Sequence, residues 1–150
     1  MVNNDFLEKM IVKGMLESKE FLVLISQTFE KEYFDDATVG EVFSIASEYV
    51  KKYKKIPPKD VIKNSVTNTK DMEDLFKDID KTDYSISEHY DSLLDDTNEY
   101  LKEQAIKSAI VKSVSIIEGN GNKDDIRKGI EDALCKDLKI DLGLRYFEDL

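Results

Sequence analysis

Cysteine and histidine are almost missing from this sequence: Cys135 and His89 are the single copies of each among 150 residues. One thiol excludes an internal disulfide, and one thiol with one imidazole cannot build the His/Cys cages that hold structural zinc. Tryptophan is absent, and only 6 glycines and 2 prolines punctuate the chain. No apolar run approaches the roughly 20 residues that a membrane-spanning helix needs. The start, Met1-Val2-Asn3-Asn4-Asp5, lacks the basic-then-apolar order of a signal peptide. Positive charge is also short, with 22 Lys+Arg against 32 Asp+Glu and a net charge of −10. Affinity for a phosphate backbone comes from Lys and Arg displacing counterions, so direct nucleic-acid binding by this segment is not expected. These absences describe a soluble, cytoplasmic chain whose partner is a protein.

What is present is helical periodicity. The chain is 41% hydrophobic and 36% charged, enough apolar surface for a globular core, and its length suits one domain, or one domain with an appendage. Phe6, Leu7, Met10, Ile11 and Met15 recur every three or four residues, with Asp5 and Glu8 spaced as a capping box. Phe21, Leu22, Ile25 and Phe29 form a second stripe ending near Phe34. A third runs through Val39, Val42, Phe43, Ala46, Tyr49, Val50 and Tyr53, opened by the box Thr38-Val39-Gly40-Glu41 and closed by Lys51, Lys52, Lys54 and Lys55, where the helix dipole favours cations. Ile56-Pro57-Pro58 stops it, and Pro58 can open a short helix over Val61 and Ile62. Met72, Leu75, Phe76 and Ile79 mark a fifth helix. No stretch alternates with period two over a strand's length, so the fold class is all-α.

From Ser85-Ile86-Ser87-Glu88, a third box, nothing interrupts the pattern until Gly119, which predicts a helix of about 30 residues and about 45 Å. Gly119-Asn120-Gly121-Asn122 is a tight turn, and Asn122 caps a second helix with Ile126, Ile130, Ala133, Leu134 and Leu138 on one face. Two helices joined so closely pack antiparallel. The expected architecture is a small helical bundle over 1–84, a long antiparallel hairpin over 85–138, and a linker segment over 139–150. Charge is spread evenly: residues 1–84 carry 13 − 17 = −4 and residues 85–150 carry 9 − 15 = −6. Ile106, Ala109, Ile110, Val111, Val114, Ile116 and Ile117 wrap well around the long helix near its tip. A two-helix hairpin can bury only one face of each helix, so this points to a second contact surface. Self-association is the favoured reading, with Ile110, Val114, Ile117, Ile126 and Ile130 central; the alternative is that these side chains meet the bundle.

Catalytic chemistry is not legible. No Gly-Lys pair exists for a P-loop, and Gly119-x-Gly121 lacks the third glycine of a dinucleotide loop and follows a helix rather than a strand. Asp78-x-Asp80-x-Thr82 resembles the start of a calcium loop, but Asp83 replaces the turn glycine and His89 the bidentate Glu, leaving a solvated acidic loop. His89 has no nucleophile or carboxylate at a recognisable spacing. Cys135 reads as a small, partly buried side chain rather than a reactive thiol. Lys51–Lys55 with Tyr53 is the only basic cluster, and the helix dipole accounts for it without a ligand. One histidine cannot supply the two Glu-x-x-His repeats of a di-metal bundle.

The order of the pieces carries more than any one of them. Glu8-Lys9-Met10-Ile11 lies in the first helix, and the second ends in Tyr33-Phe34-Asp35. Val42-Phe43-Ser44-Ile45-Ala46-x-x-Tyr49, Tyr53-Lys54-Lys55-Ile56-Pro57 and Asp60-Val61-Ile62 follow. Leu134-Cys135-Lys136-Asp137-Leu138 and Asp141-Leu142-Gly143-Leu144-Arg145-Tyr146-Phe147-Glu148-Asp149 close the chain. Over nearly its whole length the sequence resembles the N-terminal domain of DnaB-like replicative DNA helicases, especially those of large bacteriophages. The resemblance lies in positions of apolar and aromatic residues, with no catalytic signature. It implies a collar that helps hold a hexameric ring together through paired hairpins and docks the primase, in the cytoplasm of a bacterial or phage-infected cell. It also implies that ATP and Mg belong to a C-terminal RecA-type motor, with no cofactor in this segment. Leu142, Tyr146 and Phe147 are then expected to dock on a neighbouring motor domain. The competing function is a stand-alone acidic helical interaction module: a helicase loader, an inhibitor or a DNA mimic.

Overall fold

The structure, a computed structural model, describes residues 3–138, and among them are seven α-helices and one short 3-10 turn. Helix α1 (Asn4–Glu17) is capped by Asn3, whose side chain accepts from the Asp5 N–H at 2.8 Å. Ser18 ends α1 and caps α2 (Lys19–Thr28), its Oγ accepting from the Phe21 N–H at 3.2 Å, so one residue makes the corner. The 3-10 turn Lys31–Tyr33 leads to Asp36, which caps α3 (Ala37–Tyr53) by accepting from the Thr38 and Val39 N–H groups. Lys54 then adopts a left-handed conformation, φ 59°, before the Pro57-Pro58 break. Helices α4 (Lys59–Ser65), α5 (Thr69–Asp80), α6 (Tyr90–Glu118) and α7 (Lys123–Leu134) follow.

The all-α class and the hairpin expected from the sequence are present, while the details of the caps differ. Asn3, not Asp5, caps α1, and Asp36, not Thr38, caps α3. Glu41 accepts instead from the backbone of Thr67, tying α3 to the α4–α5 connection. Ser85 Oγ does accept from Glu88 N–H, at 3.3 Å, but the chain makes a turn there and α6 begins only at Tyr90. Ile86 in that turn is buried, which holds the turn against the globule. Asp78 and Asp80 lie in the last turn of α5 rather than in a loop, and Asp78 pairs with Lys9 at 3.3 Å.

Helices α1, α2 and α3 form the centre of the core, with Met10, Ile11, Met15, Phe21, Leu22, Leu24 and Ile25 essentially sealed from solvent. Burying an apolar side chain of this size stabilises the fold by roughly 1.5–3 kcal/mol. Gly14 permits the close approach of α1 and α2: a Cβ there would sit 2.8 Å from the Phe21 ring. An aromatic cluster follows, with Phe34 5.2 Å from both Phe29 and Phe43 and Phe29 6.3 Å from Tyr100. Tyr100 brings α6 into this core together with Leu93 and Leu101. The first half of the long helix therefore belongs to the globule.

A buried polar junction fixes where it docks. Glu8, only 2% exposed, accepts from the Asp35 N–H at 2.6 Å and from the Asp36 N–H. It also accepts from the Tyr100 hydroxyl at 2.7 Å. Gln104 Nε2 donates to Tyr33 O at 2.6 Å and to Asp35 Oδ1 at 2.9 Å. Three elements distant in sequence thus share one carboxylate. Burial pushes the Glu8 carboxyl above its ordinary value even though the hydrogen bonds it accepts act the other way.

The far half of α6 (29 residues, about 44 Å by rise) carries α7 beside it. Gly119 closes α6, Asn120 is left-handed at φ 57°, and the Gly121 N–H reaches Ile116 O at 2.7 Å while the Asn120 N–H reaches Ile117 O at 3.2 Å. This paired arrangement satisfies carbonyls that the helix end would leave bare. A Cβ on Gly121 would lie 2.7 Å from the Ile116 side chain, which selects glycine there. Asn122 caps α7 by accepting from the Asp124 N–H. Helix α7 ends at Leu134, so Leu138 is not on it as expected. Leu138 is buried instead against the middle of α6, where Asn98 Oδ1 accepts from its N–H at 2.8 Å. Lys102–Asp137 at 3.3 Å and Lys136 Nζ donating to Thr28 O at 3.3 Å complete the return to the globule.

Candidate oligomerisation surface on the hairpin

The seam between α6 and α7 is built from small side chains. Ala109 and Ser113 on α6 and Ala133 on α7 are its buried members, and the Ser113 hydroxyl donates to Ala109 O at 2.7 Å so that no polar hydrogen is left unsatisfied. The large aliphatic residues of α7 are partly open: Ile130 is 36% and Leu134 65% exposed, and Ile126 is half-buried. On α6, Ile106, Ile110, Val114 and Ile117 follow one another at spacings of four, four and three residues, which places them on one helix face. Ile110 is 54%, Val114 48% and Ile117 64% exposed, and Val111 beside them is also open. These five side chains are open to solvent in the single chain rather than packed on the bundle.

Lys107, Glu118, Arg127 and Glu131 are solvent-exposed on the same two helices, and Arg127 pairs with Glu131 at 3.9 Å. Apolar side chains accompanied by solvated charges match the composition of a protein contact surface. Between α6, α7 and the 3-10 turn lies a cleft of about 290 Å³ whose walls include Tyr33, Ala109, Lys112 and Asp132. Lys112 at its edge approaches Glu30 at 3.7 Å. Nothing in it sets a nucleophile beside a base.

The remaining candidates fall into place separately. His89 sits at the start of α6 with its ring 4.9 Å from that of Tyr84. Cys135 closes α7 and is exposed, which corrects the expectation of a partly buried thiol: the helix ends there and none of the described residues covers it. Leu142, Tyr146 and Phe147 lie outside the described residues. Among the described residues no group of three or more His, Cys, Asp or Glu is arranged to hold a metal ion, and no helix is long and apolar enough to cross a membrane.

Pattern reading missed the Glu8 junction, although a signal was there. Glu8 is in phase with Ile11, Val12 and Met15, all fully buried, so helical geometry directs it to the interior. Comparison with family models, with curated proteins and with solved structures gives no match.

Proposed function

We propose that this chain is the collar domain of a DnaB-like replicative hexameric DNA helicase, self-assembling through its α6–α7 hairpin and docking a primase. The observation that carries the assembly step is the aliphatic stripe of Ile110, Val114 and Ile117, about half or more exposed on a hairpin whose own seam is already filled by Ala109, Ser113 and Ala133. Burying each such residue against a second hairpin removes apolar area from water at roughly 25 cal/mol per Å². The order of globule, long helix and returning helix supports the helicase parentage through the sequence resemblance. ATP and Mg belong to the motor of such a parent, and the acidic collar contributes assembly and docking without chemistry of its own.

Sedimentation velocity on the wild type, Ile110→Asp and Val114→Asp tests the assembly. The wild type is expected to associate with increasing concentration and both variants to remain monomeric with unchanged helical content. A wild type that stays monomeric throughout removes the proposal. Capture of a cognate primase by the wild type tests the docking step, and indifference to the primase favours the stand-alone interaction module.

A further inference from the structure

Among the described residues, the C-terminal end of α3 carries the densest run of lysines in this acidic protein. Lys51 and Lys52 lie in the last turn of α3, and Lys54 and Lys55 follow directly, all four exposed. The chain has 32 Asp+Glu, yet none of these four lysines forms a salt bridge among the described residues. Other lysines without a salt bridge, such as Lys107, Lys123 and Lys128, are scattered rather than in so close a run, while Lys9 bridges Asp5 and Asp78 and Lys63 bridges Glu73. The helix dipole favours Lys51 and Lys52 in the final turn and weakens beyond it, where Lys54 and Lys55 extend the positive surface.

Aromatic surface adjoins these charges. Tyr49 and Tyr53, one turn apart, hold their rings 4.7 Å apart, and Tyr53 is 52% exposed. Lys52 Nζ lies 5.2 Å from the centre of the Tyr53 ring. An acidic peptide would use the lysines and leave the ring idle. A single-stranded nucleic acid uses both, since phosphates take the ammonium groups and an unstacked base lies on the tyrosine. We infer that Lys51, Lys52, Lys54 and Lys55 with Tyr53 form a contact surface for single-stranded nucleic acid. The site is local: the remaining surface repels the backbone, so the strand touches the protein at this helix end alone. The inference does not rest on the collar reading, and self-association through the hairpin neither requires nor supplies it.

The test is fluorescence anisotropy of a labelled deoxythymidine oligomer of about 20 nucleotides with the full chain at about 20 mM salt. Binding is expected to weaken with salt at a log–log slope of about −3, the value for four displaced counterions on a single strand. Lys51→Glu/Lys52→Glu/Lys55→Glu is expected to lower affinity at least about tenfold, with Lys51→Gln/Lys52→Gln/Lys55→Gln as the milder companion should the first not fold. Tyr53→Ala is expected to cost about fivefold through lost stacking. The charge-matched control Lys107→Glu/Lys123→Glu/Lys128→Glu on the hairpin is expected to change affinity by no more than about twofold. The inference is overturned by no binding of the wild type at low salt, by an equal loss in the control, or by full affinity in Tyr53→Ala. Polyglutamate competing as well as the oligomer also overturns it and assigns the surface to an acidic protein.

Discussion

The globule and the far half of the hairpin use the same helical periodicity and finish with opposite surfaces. In the globule, phenylalanine, methionine, leucine and isoleucine turn inward, and Phe21, Met15, Leu22 and Ile25 are sealed. Beyond Ala105 the order inverts: alanine and serine occupy the seam, while Ile110, Val111, Ile117 and Leu134 face outward. The reason is the number of neighbours. A helix such as α1, surrounded by α2, α3, α5 and α6, can cover an apolar face several residues wide. A helix with one antiparallel partner covers only a narrow stripe, and close approach favours small residues there. The globule therefore stabilises itself, and the hairpin presents what it cannot cover.

Substitutions can break this contrast, and the largest effect is expected in the globule. Phe21→Ala removes a fully buried ring packed on Gly14 and should cost about 4 kcal/mol in urea unfolding. The equivalent truncation Ile117→Ala should stay within about 0.5 kcal/mol in the dilute monomer, since that side chain is mostly in water. Equal costs at the two sites would show that the hairpin face is covered in solution even at low concentration.

Next comes the joint between the two regions. Glu8→Ala leaves the Asp35 and Asp36 N–H groups without their acceptor and the Tyr100 hydroxyl with only the longer contact to Tyr33 O, and should destabilise by about 3 kcal/mol. Its pH dependence has a defined sign. The folded state raises the Glu8 pKa above its ordinary value of 4.5, so between those two values the native state binds more protons than the unfolded state. Stability contributed at this site is therefore greatest below pH 4.5 and declines as pH rises to the folded-state value, beyond which it is level. Comparing unfolding of the wild type and Glu8→Gln over that interval isolates the term, and parallel profiles would show that the carboxyl is not desolvated.

Smaller effects set the hairpin turn beside the globule's surface. Gly121→Ala places a Cβ against Ile116 and should cost about 1 kcal/mol, read most directly as faster amide exchange along α7. Lys63→Met removes an exposed pair with Glu73 at 3.1 Å and should change stability by less than about 0.5 kcal/mol in thermal unfolding.

Much of this architecture was legible from residue order. The stripe of Val39, Val42, Phe43, Ala46 and Val50 became the buried face of α3, and Asn122 caps α7 as its position suggested. Capping residues were less legible, because Asp5, Thr38 and Ser85 each satisfy a four-residue pattern that a neighbour can satisfy as well. Asn3 and Asp36 take the N-cap places at two of them, and at the third burial of Ile86 moves the start of α6 to Tyr90. The aliphatic surplus around Ile110 and Val114 could be counted in advance, but which side of α7 faced α6 could not, since Ile130 and Ala133 lie three residues apart and both are compatible with a helical contact stripe.

By itself the sequence determined the all-α class, the long helix with its returning partner, the missing disulfide and the excess of acid, because these depend on periodicity, turn residues and composition. Tertiary structure alone decided that Glu8 is a joint rather than a cap and that small side chains hold the hairpin closed. It also decided that Leu138 returns to Asn98 and that none of the four lysines at the end of α3 forms a salt bridge among the described residues. These outcomes depend on which surfaces meet across long stretches of chain, 40 residues from Asn98 to Leu138 and 92 from Glu8 to Tyr100. Local patterns restrict such meetings without selecting one, since many pairings satisfy the same periodicity and only simultaneous packing of all the helices chooses among them.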